Sequence, residues 1–92
     1  MNHVGVLLRN IGRRIAELRR AAGLTQEDLA ERLDVSAGYI RQVEGGGKNL
    51  SVRSLAAFAD AVHGTVAALF EEPTAPVAER RSQRRAARPV SS

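Results

Sequence analysis

The chain has 92 residues, of which 43% are hydrophobic and only 3% aromatic, so its composition allows one small domain with an aliphatic core. It contains no cysteine, which excludes disulfide bonds and thiolate metal sites and is compatible with a reducing cytoplasm. The formal net charge is +4, and its distribution along the chain is more informative than its size.

The charge is unevenly distributed along the chain. Residues 1–72 hold nine basic and nine acidic side chains, whereas the last twenty residues hold five arginines and one acid, Glu79. We therefore predict a formally neutral folded domain over 1–72 and a flexible Arg-rich tail over 73–92. Pro73 and Pro76 end regular structure there, and the tail has little apolar surface to bury.

Apolar residues recur at alternating steps of four and three along the N-terminal segment: Val4, Leu8, Ile11, Ile15, Leu18 and Ala22. This spacing predicts a first helix over residues 4–22, with Gly23 at its end. The apolar run at 4–8 is too short to cross a membrane, and no cleavage signal follows it. We therefore expect a cytoplasmic protein with no membrane partner.

Two short helices joined by a sharp turn are predicted next, over residues 26–33 and 37–44. The expected buried positions are Leu29, Ala30 and Leu33 in the first of them, and Val35, Ile40 and Val43 at the second. Asp34 tolerates the left-handed conformation that the turn requires, and Ser36 can cap the second helix. The small side chain of Ala30 lets two steeply crossing helices approach closely. This pattern is a helix-turn-helix, whose second helix has the size to enter the major groove of DNA.

The rest of the domain is predicted to consist of two more helices. The three consecutive glycines at 45–47 form a loop, because each costs roughly 1 kcal/mol relative to alanine inside a helix. Ser51 can cap a fourth helix, whose buried positions are Leu55, Phe58, Ala59 and Val62. His63 and Gly64 end that helix, and Thr65 begins a short fifth one containing Val66, Leu69 and Phe70. The predicted fold class is all-α, a compact five-helix domain.

Between residues 8 and 70 the sequence resembles the lambda-repressor-like, Cro-type family of DNA-binding domains, also called the xenobiotic-response-element family. The matching motifs are Ile11-Gly12-x-x-Ile15-x-x-Leu18-Arg19, Gly23-Leu24-Thr25-Gln26-Glu27-x-Leu29-Ala30, Ser36-x-x-Tyr39-Ile40-x-x-Val43-Glu44, Asn49-x-Ser51-x-x-x-Leu55 and Leu69-Phe70. The chain departs from the family at Asp34, where a turn glycine is usual, and at residues 45–47 with Leu50, where the loop is often stiffer. The resemblance implies a bacterial or phage regulator of transcription that binds double-stranded DNA.

The outward positions of the second motif helix are the expected base-contacting residues: Ala37, Gly38, Arg41 and Gln42. Arginine can donate two hydrogen bonds to guanine and glutamine can pair with adenine, each discriminating by about 1 to 3 kcal/mol. Ala37 and Gly38 permit close approach, and Ala37 can contact a thymine methyl group. The alternative for all four is ordinary solvated surface.

Contacts with the DNA backbone are expected at the ends of helices: Thr25, Gln26, Ser36, Tyr39, Gly46, Gly47, Lys48 and Asn49. The resemblance assigns Gln26 to a phosphate at a helix N-terminus, and we expect Lys48, Asn49 and the amides of Gly46 and Gly47 to hold a second phosphate. It also pairs Arg19 with Glu44. As an exposed ion pair this would contribute at most about 1 kcal/mol, so its expected role is to orient the recognition helix.

An enzymatic function is not indicated, and no catalytic residue, metal site or cofactor is predicted. Gly47-Lys48 lacks the rest of a phosphate-binding loop, because Gln42 stands where a glycine is needed and Asn49 where a serine or threonine is needed. His3 and His63 lie far apart without clustered partners for metal ligation or nucleophilic catalysis.

Domains of this type bind inverted repeats as two-fold dimers, and we expect a homodimer that uses residues 4–8 or Val66, Leu69 and Phe70. The stretch 49–55 is also similar to that of compact restriction-modification controller proteins. In the tail, Arg80, Arg84 and Arg88 repeat every four residues, and the tail either binds DNA phosphates or only solubilises the chain. The alternative function is an antitoxin or other interaction module that binds a partner protein, such as a toxin.

Overall fold

The computed structural model describes residues 3–74, which form five α-helices and no strand. The helices are α1 (His3–Ala21), α2 (Gln26–Leu33), α3 (Ala37–Glu44), α4 (Val52–Ala61) and α5 (Val66–Leu69). The predicted all-α class is confirmed, with α2 and α3 at their predicted bounds and α1 displaced by one residue. None of these helices is long and apolar enough to cross a membrane.

The N-termini of the four later helices are fixed by hydroxyl caps. Thr25, Ser36, Ser51 and Thr65 each accept a hydrogen bond from the backbone N–H three residues further on. Such a cap satisfies one of the donors that a helix start leaves free, and contributes about 1 kcal/mol. At α2 the cap is reciprocal, because the Asp28 carboxylate also accepts from the Thr25 N–H at 2.9 Å.

Residues in the left-handed region follow four of the helices, and those after α1 and α2 set the entry to α2 and α3. Gly23 follows α1 with φ of 77° and Asp34 follows α2 with φ of 58°. The N–H of Val35 then donates to the Ala30 carbonyl oxygen at 3.0 Å, which closes the end of α2. The predicted conformation of Asp34 is confirmed, and the turn directs the chain from α2 into α3.

The core is aliphatic, as predicted. Its most deeply buried large side chains come from four helices: Ile15, Leu29, Ile40, Val43 and Leu69. The prediction that Val35 belongs to this core is wrong, because its side chain is 38% exposed. Val35 lies in the turn between α2 and α3, so the helical period that fixes Ile40 does not determine where it points.

Helix α1 crosses the C-terminal end of α3 at very short range. Gly12 is buried, and a Cβ atom there would overlap the carbonyl oxygens of Val43 and Glu44, the second at 2.6 Å. Only glycine therefore fits at this crossing. The position of α3 relative to the rest of the domain is set by this contact and by the buried Ile40 and Val43.

The segment after α5 is held against α1 by side-chain hydrogen bonds. Arg14 Nε donates to the Ala68 carbonyl at 2.9 Å, and Arg14 Nη2 pairs with Glu71 at 3.0 Å. Glu17 accepts from both the backbone N–H and the hydroxyl of Thr74, at 2.9 and 2.6 Å. The chain is thus fixed as far as Thr74, and the arginines predicted for the tail lie outside the described residues.

Candidate nucleic-acid interface

Helix α3 has a buried side and an exposed side. Ile40 and Val43 are completely or almost completely buried, whereas Arg41 and Gln42 are exposed. Ala37 and Gly38, in the first turn, are partly exposed. The four residues predicted to contact bases therefore lie on the accessible part of one short helix, and the two polar ones are its most accessible side chains.

The N-terminus of α2 adjoins the C-terminus of α3. Gln26 Nε2 donates to Glu44 Oε1 at 3.0 Å, which leaves its second amide hydrogen for another acceptor. Thr25 is less available, since its hydroxyl and its backbone N–H are both engaged with Asp28. The hydrogen bonds from the Thr25 backbone N–H and the Thr25 hydroxyl lower the pKa of the Asp28 carboxyl below its usual 3.8.

Arg19 and Glu44 form a two-point ion pair between α1 and α3. Arg19 Nε lies 2.7 Å from Glu44 Oε2, and Arg19 Nη2 lies 3.2 Å from Oε1. A further hydrogen bond joins Arg19 Nη1 to the Leu24 carbonyl at 2.8 Å. Both charged side chains are more than nine-tenths buried, so the expectation of an exposed pair is wrong. The pair lies on the same side of α1 as Gly12, where the backbones of α1 and α3 approach closely.

The loop after α3 is more ordered than a simple connector. The N–H groups of Gly46 and Gly47 donate to the carbonyls of Val43 and Gln42, at 3.0 and 2.8 Å. Both amides are thus engaged in ending α3, which corrects the prediction that they are available to a phosphate. The exposed side chains of Lys48 and Asn49 remain accessible for that contact.

Gly46 also packs directly on α1. Its φ is 81°, and a Cβ atom there would lie 2.6 Å from Arg9 Cγ and 2.9 Å from Arg9 Cα. Both the backbone conformation and the contact therefore require glycine. Gly47 has no such restriction, because the nearest atom to a Cβ there would be the Gln42 carbonyl oxygen at 3.5 Å.

Tyr39 and Ser36 have structural roles at the start of α3. The Tyr39 ring is partly buried and lies parallel to that of Phe58, with centroids 6.4 Å apart. Ser36 Oγ accepts from the Tyr39 N–H at 3.0 Å. Tyr39 could contact DNA only through its hydroxyl, at the edge of the ring packing. Ser36 could do so only through its hydroxyl group, which already accepts the capping hydrogen bond.

The predicted site residues therefore come from three adjoining segments: the start of α2, the accessible side of α3 and the loop that follows α3. No functional role of Arg9 or Gly12 was predicted from the sequence, although α1 supports the interface through both. The signal for Gly12 was present, since a glycine inside a strongly periodic helix often marks a close approach of backbones. Arg9 gave no such signal, because its position depends on the fold of residues 45–47.

A helix capped by serine, joined by a left-handed turn to a capped preceding helix and exposing a polar face, defines this protein as a helix-turn-helix domain. The family profile described as "Helix-turn-helix domain" matches residues 10–72, and the chain belongs to that family. The resemblance predicted from the sequence is thereby confirmed. The match and the regulators found among similar structures support a DNA-binding transcriptional regulator.

Three solved structures illustrate the similarity. The restriction-modification controller protein C.AhdI from Aeromonas hydrophila is 36% identical, with a TM-score of 0.64 over 68% of this chain and 96% of that one. The clp gene regulator ClgR from Corynebacterium glutamicum is 32% identical, with a TM-score of 0.69 over 89% of this chain and 87% of that one. A transcriptional regulator from Vibrio cholerae, 22% identical, shares the fold with a TM-score of 0.67 over 73% of this chain and 38% of its own. No curated protein sequence matches the chain.

Proposed function

We propose that this protein is a sequence-specific regulator of transcription that reads the major groove of double-stranded DNA with α3. The observation that carries the proposal is the two-sidedness of α3, whose Ile40 and Val43 are buried while Arg41 and Gln42 are exposed. A helix propped in this way presents its polar side chains at a fixed angle. The family and the regulators among similar structures support the same function.

Arg41 and Gln42 are the proposed base-reading residues. Arg41 can donate a pair of hydrogen bonds to guanine O6 and N7, and Gln42 can pair with adenine N6 and N7. Ala37 and Gly38 add no polar group and allow the first turn of α3 to approach the base edges. Because only two side chains read bases, one domain specifies only a short half-site.

The proposed backbone contacts lie on both sides of α3. On one side, Gln26 offers its free amide hydrogen, beside the exposed start of α2. On the other side, Lys48 and Asn49 are exposed in the loop after α3. These contacts fix the register of the protein on DNA without specifying sequence. The carboxylates of Glu27 and Asp28 lie in the first turn of α2 and already compensate the positive end of its dipole. We therefore assign the phosphate contact at the start of α2 mainly to the Gln26 side chain.

We further propose a homodimer that binds an inverted repeat. Leu69 is fully buried, which removes it from the dimer surface proposed from sequence. The exposed apolar residues that remain are Val4, Val6 and Leu7 at the start of α1 and Phe70 after α5, which are 61%, 40%, 46% and 50% exposed. A second copy of the chain seated on them would give the two-fold symmetric dimer that binding to an inverted repeat requires. The proposed role is non-enzymatic and the proposed location is the cytoplasm.

Selection of binding sites from random duplex DNA tests this function. The wild-type chain should recover a short, two-fold symmetric consensus. Arg41→Ala and Gln42→Ala should each abolish preference at one or two positions, with a loss of about 1 to 3 kcal/mol per position. Arg32→Ala is the control, because it removes an exposed arginine at the opposite end of α2 from Gln26; it also loses a hydrogen bond to the Ala61 carbonyl, so its fold is verified by circular dichroism, and it should leave the consensus unchanged.

Two outcomes would overturn the proposal. Unchanged preference in both variants would move specificity away from α3. A purified protein that retards no duplex at low ionic strength would exclude DNA as the partner and leave the partner-protein alternative.

A further inference from the structure

Helix α1 presents three exposed arginines on one face: Arg9, Arg13 and Arg20. They are separated by four and seven residues, spacings that return a helical side chain to the same side. None of the three is part of the proposed base or phosphate contacts. The question is therefore what this basic face adjoins.

The two ends of the face adjoin the two proposed phosphate contacts. At one end, the backbone and Cγ of Arg9 pack against Gly46, two residues before Lys48. At the other end, Arg20 follows Arg19, whose guanidinium reaches the Leu24 carbonyl and Glu44 beside Gln26. Eleven residues of helix separate Arg9 from Arg20, which corresponds to about 16 Å. Helix α1 thus passes the C-terminal end of α3, with Arg9 at the loop that follows α3 and Arg20 at the turn that leads into α2.

The charges at the ends of this face are not neutralised within the part of the chain that the structure describes. The ion pairs among residues 3–74 involve only Arg14 and Arg19. The Arg13 guanidinium donates a hydrogen bond to the Thr74 carbonyl at 3.3 Å, so we do not include Arg13 among the free charges of this face. Arg9 and Arg20 therefore carry net positive charge on a surface next to α3, in a domain that is neutral overall.

We propose that α1 is a third DNA-contacting element, with Arg9 and Arg20 binding phosphates on either side of the groove that α3 enters. This inference rests on the proposed function and adds a contact surface to it. Both guanidiniums release counterions on binding, so they raise affinity for any duplex and increase its dependence on salt. They contribute nothing to the choice of sequence.

Binding measured against salt concentration tests the proposal. The full chain is compared with Arg9→Gln and Arg20→Gln, on its selected duplex and on an unrelated one. Each substitution should reduce the slope of log K against log salt by about 0.9, and should weaken binding about fivefold at 0.1 M salt on both duplexes. The ratio of the two affinities should stay unchanged.

Three further variants separate a phosphate contact from a structural role. Arg32→Gln removes one charge from the far end of α2 together with its hydrogen bond to the Ala61 carbonyl, and the folded variant should keep the wild-type slope. Arg9→Lys and Arg20→Lys keep the charge, and should restore most of the slope. A purely structural role for Arg9, at the negative end of α3, would instead lower the thermal midpoint and leave the slope unchanged.

The outcomes also separate this inference from the function on which it rests. If the wild-type chain binds its selected duplex and both glutamine variants keep the wild-type slope while folded by circular dichroism, the role of α1 is refuted and the role of α3 stands. If the wild-type chain binds no duplex, the proposed function itself fails.

Discussion

The two sides of α3 are built under opposite constraints. On the inner side, Gly12 leaves no space for a Cβ atom, and Glu44 is buried with Arg19. On the outer side, a Cβ atom at Gly38 would meet nothing closer than 3.7 Å, and Arg41 is exposed. The inner side fixes where the helix stands, while the outer side is free to change without disturbing the fold. Substitutions on the two sides should therefore affect different properties.

The largest effect is expected on the inner side, at Glu44. Glu44→Ala leaves the buried Arg19 guanidinium without its carboxylate and removes the acceptor of Gln26. We expect the free energy of unfolding to fall by about 3 kcal/mol, because an uncompensated buried charge is costly. Urea denaturation followed by circular dichroism measures this loss.

A double variant identifies the source of that loss. Arg19→Met combined with Glu44→Leu removes both charges at once, so it should be clearly more stable than Glu44→Ala alone. A double variant no more stable than the single one would mean that packing, rather than the unpaired charge, dominates.

The next effect is expected where α1 crosses α3. Gly12→Ala forces a methyl group onto the carbonyls of Val43 and Glu44, so the two helices must separate. We expect a loss of about 2 kcal/mol in the free energy of unfolding, within the range of overpacked cores. Equal stability of the variant and the wild type in urea would show that the two helices can accommodate a methyl group at this crossing.

The outer side should respond in the opposite direction. Gly38→Ala adds a methyl group that would make only ordinary van der Waals contacts, at a position within α3 where alanine is the better helix former. We expect a gain of up to about 1 kcal/mol in the free energy of unfolding. A loss in the same urea experiment would contradict the view that this side of α3 is unconstrained.

The smallest effect concerns an exposed group outside α3. The pKa of Asp28 is lowered by its hydrogen bonds to Thr25, so its ionised form favours the folded state. This contribution is complete above the usual value of 3.8 and is lost as the pH falls below it. Thermal midpoints between pH 7 and about pH 2 should therefore fall less steeply in Asp28→Asn than in wild type.

The sequence was sufficient to locate the helices but not to describe what surrounds α3. Bounds of α2 and α3 could be predicted because Thr25, Ser36 and Asp34 specify starts and turns through local backbone chemistry. The pairing of Arg19 with Glu44 was implied by family resemblance. Its burial was not predictable, since it depends on how closely two helices distant in sequence approach each other.

The loop after α3 shows the same limit. Three glycines indicated that the helix ends, which was correct. They did not indicate that the amides of Gly46 and Gly47 would bond back to α3, or that Gly46 would rest on Arg9. The contact between Gly46 and Arg9 joins residues 37 positions apart, and no local pattern encodes it.

The bonds from Arg14 and Glu17 to the stretch that ends at Thr74 have a practical consequence for shortened or fused versions of the chain. A recombinant fragment cut after Phe70 would keep the bond from Arg14 to the Ala68 carbonyl, but would lose the Glu71 partner of Arg14 and the Thr74 partner of Glu17. A cut or an affinity tag placed after Thr74 would preserve all of these hydrogen bonds. Any appended sequence would then begin at a residue that is held against α1.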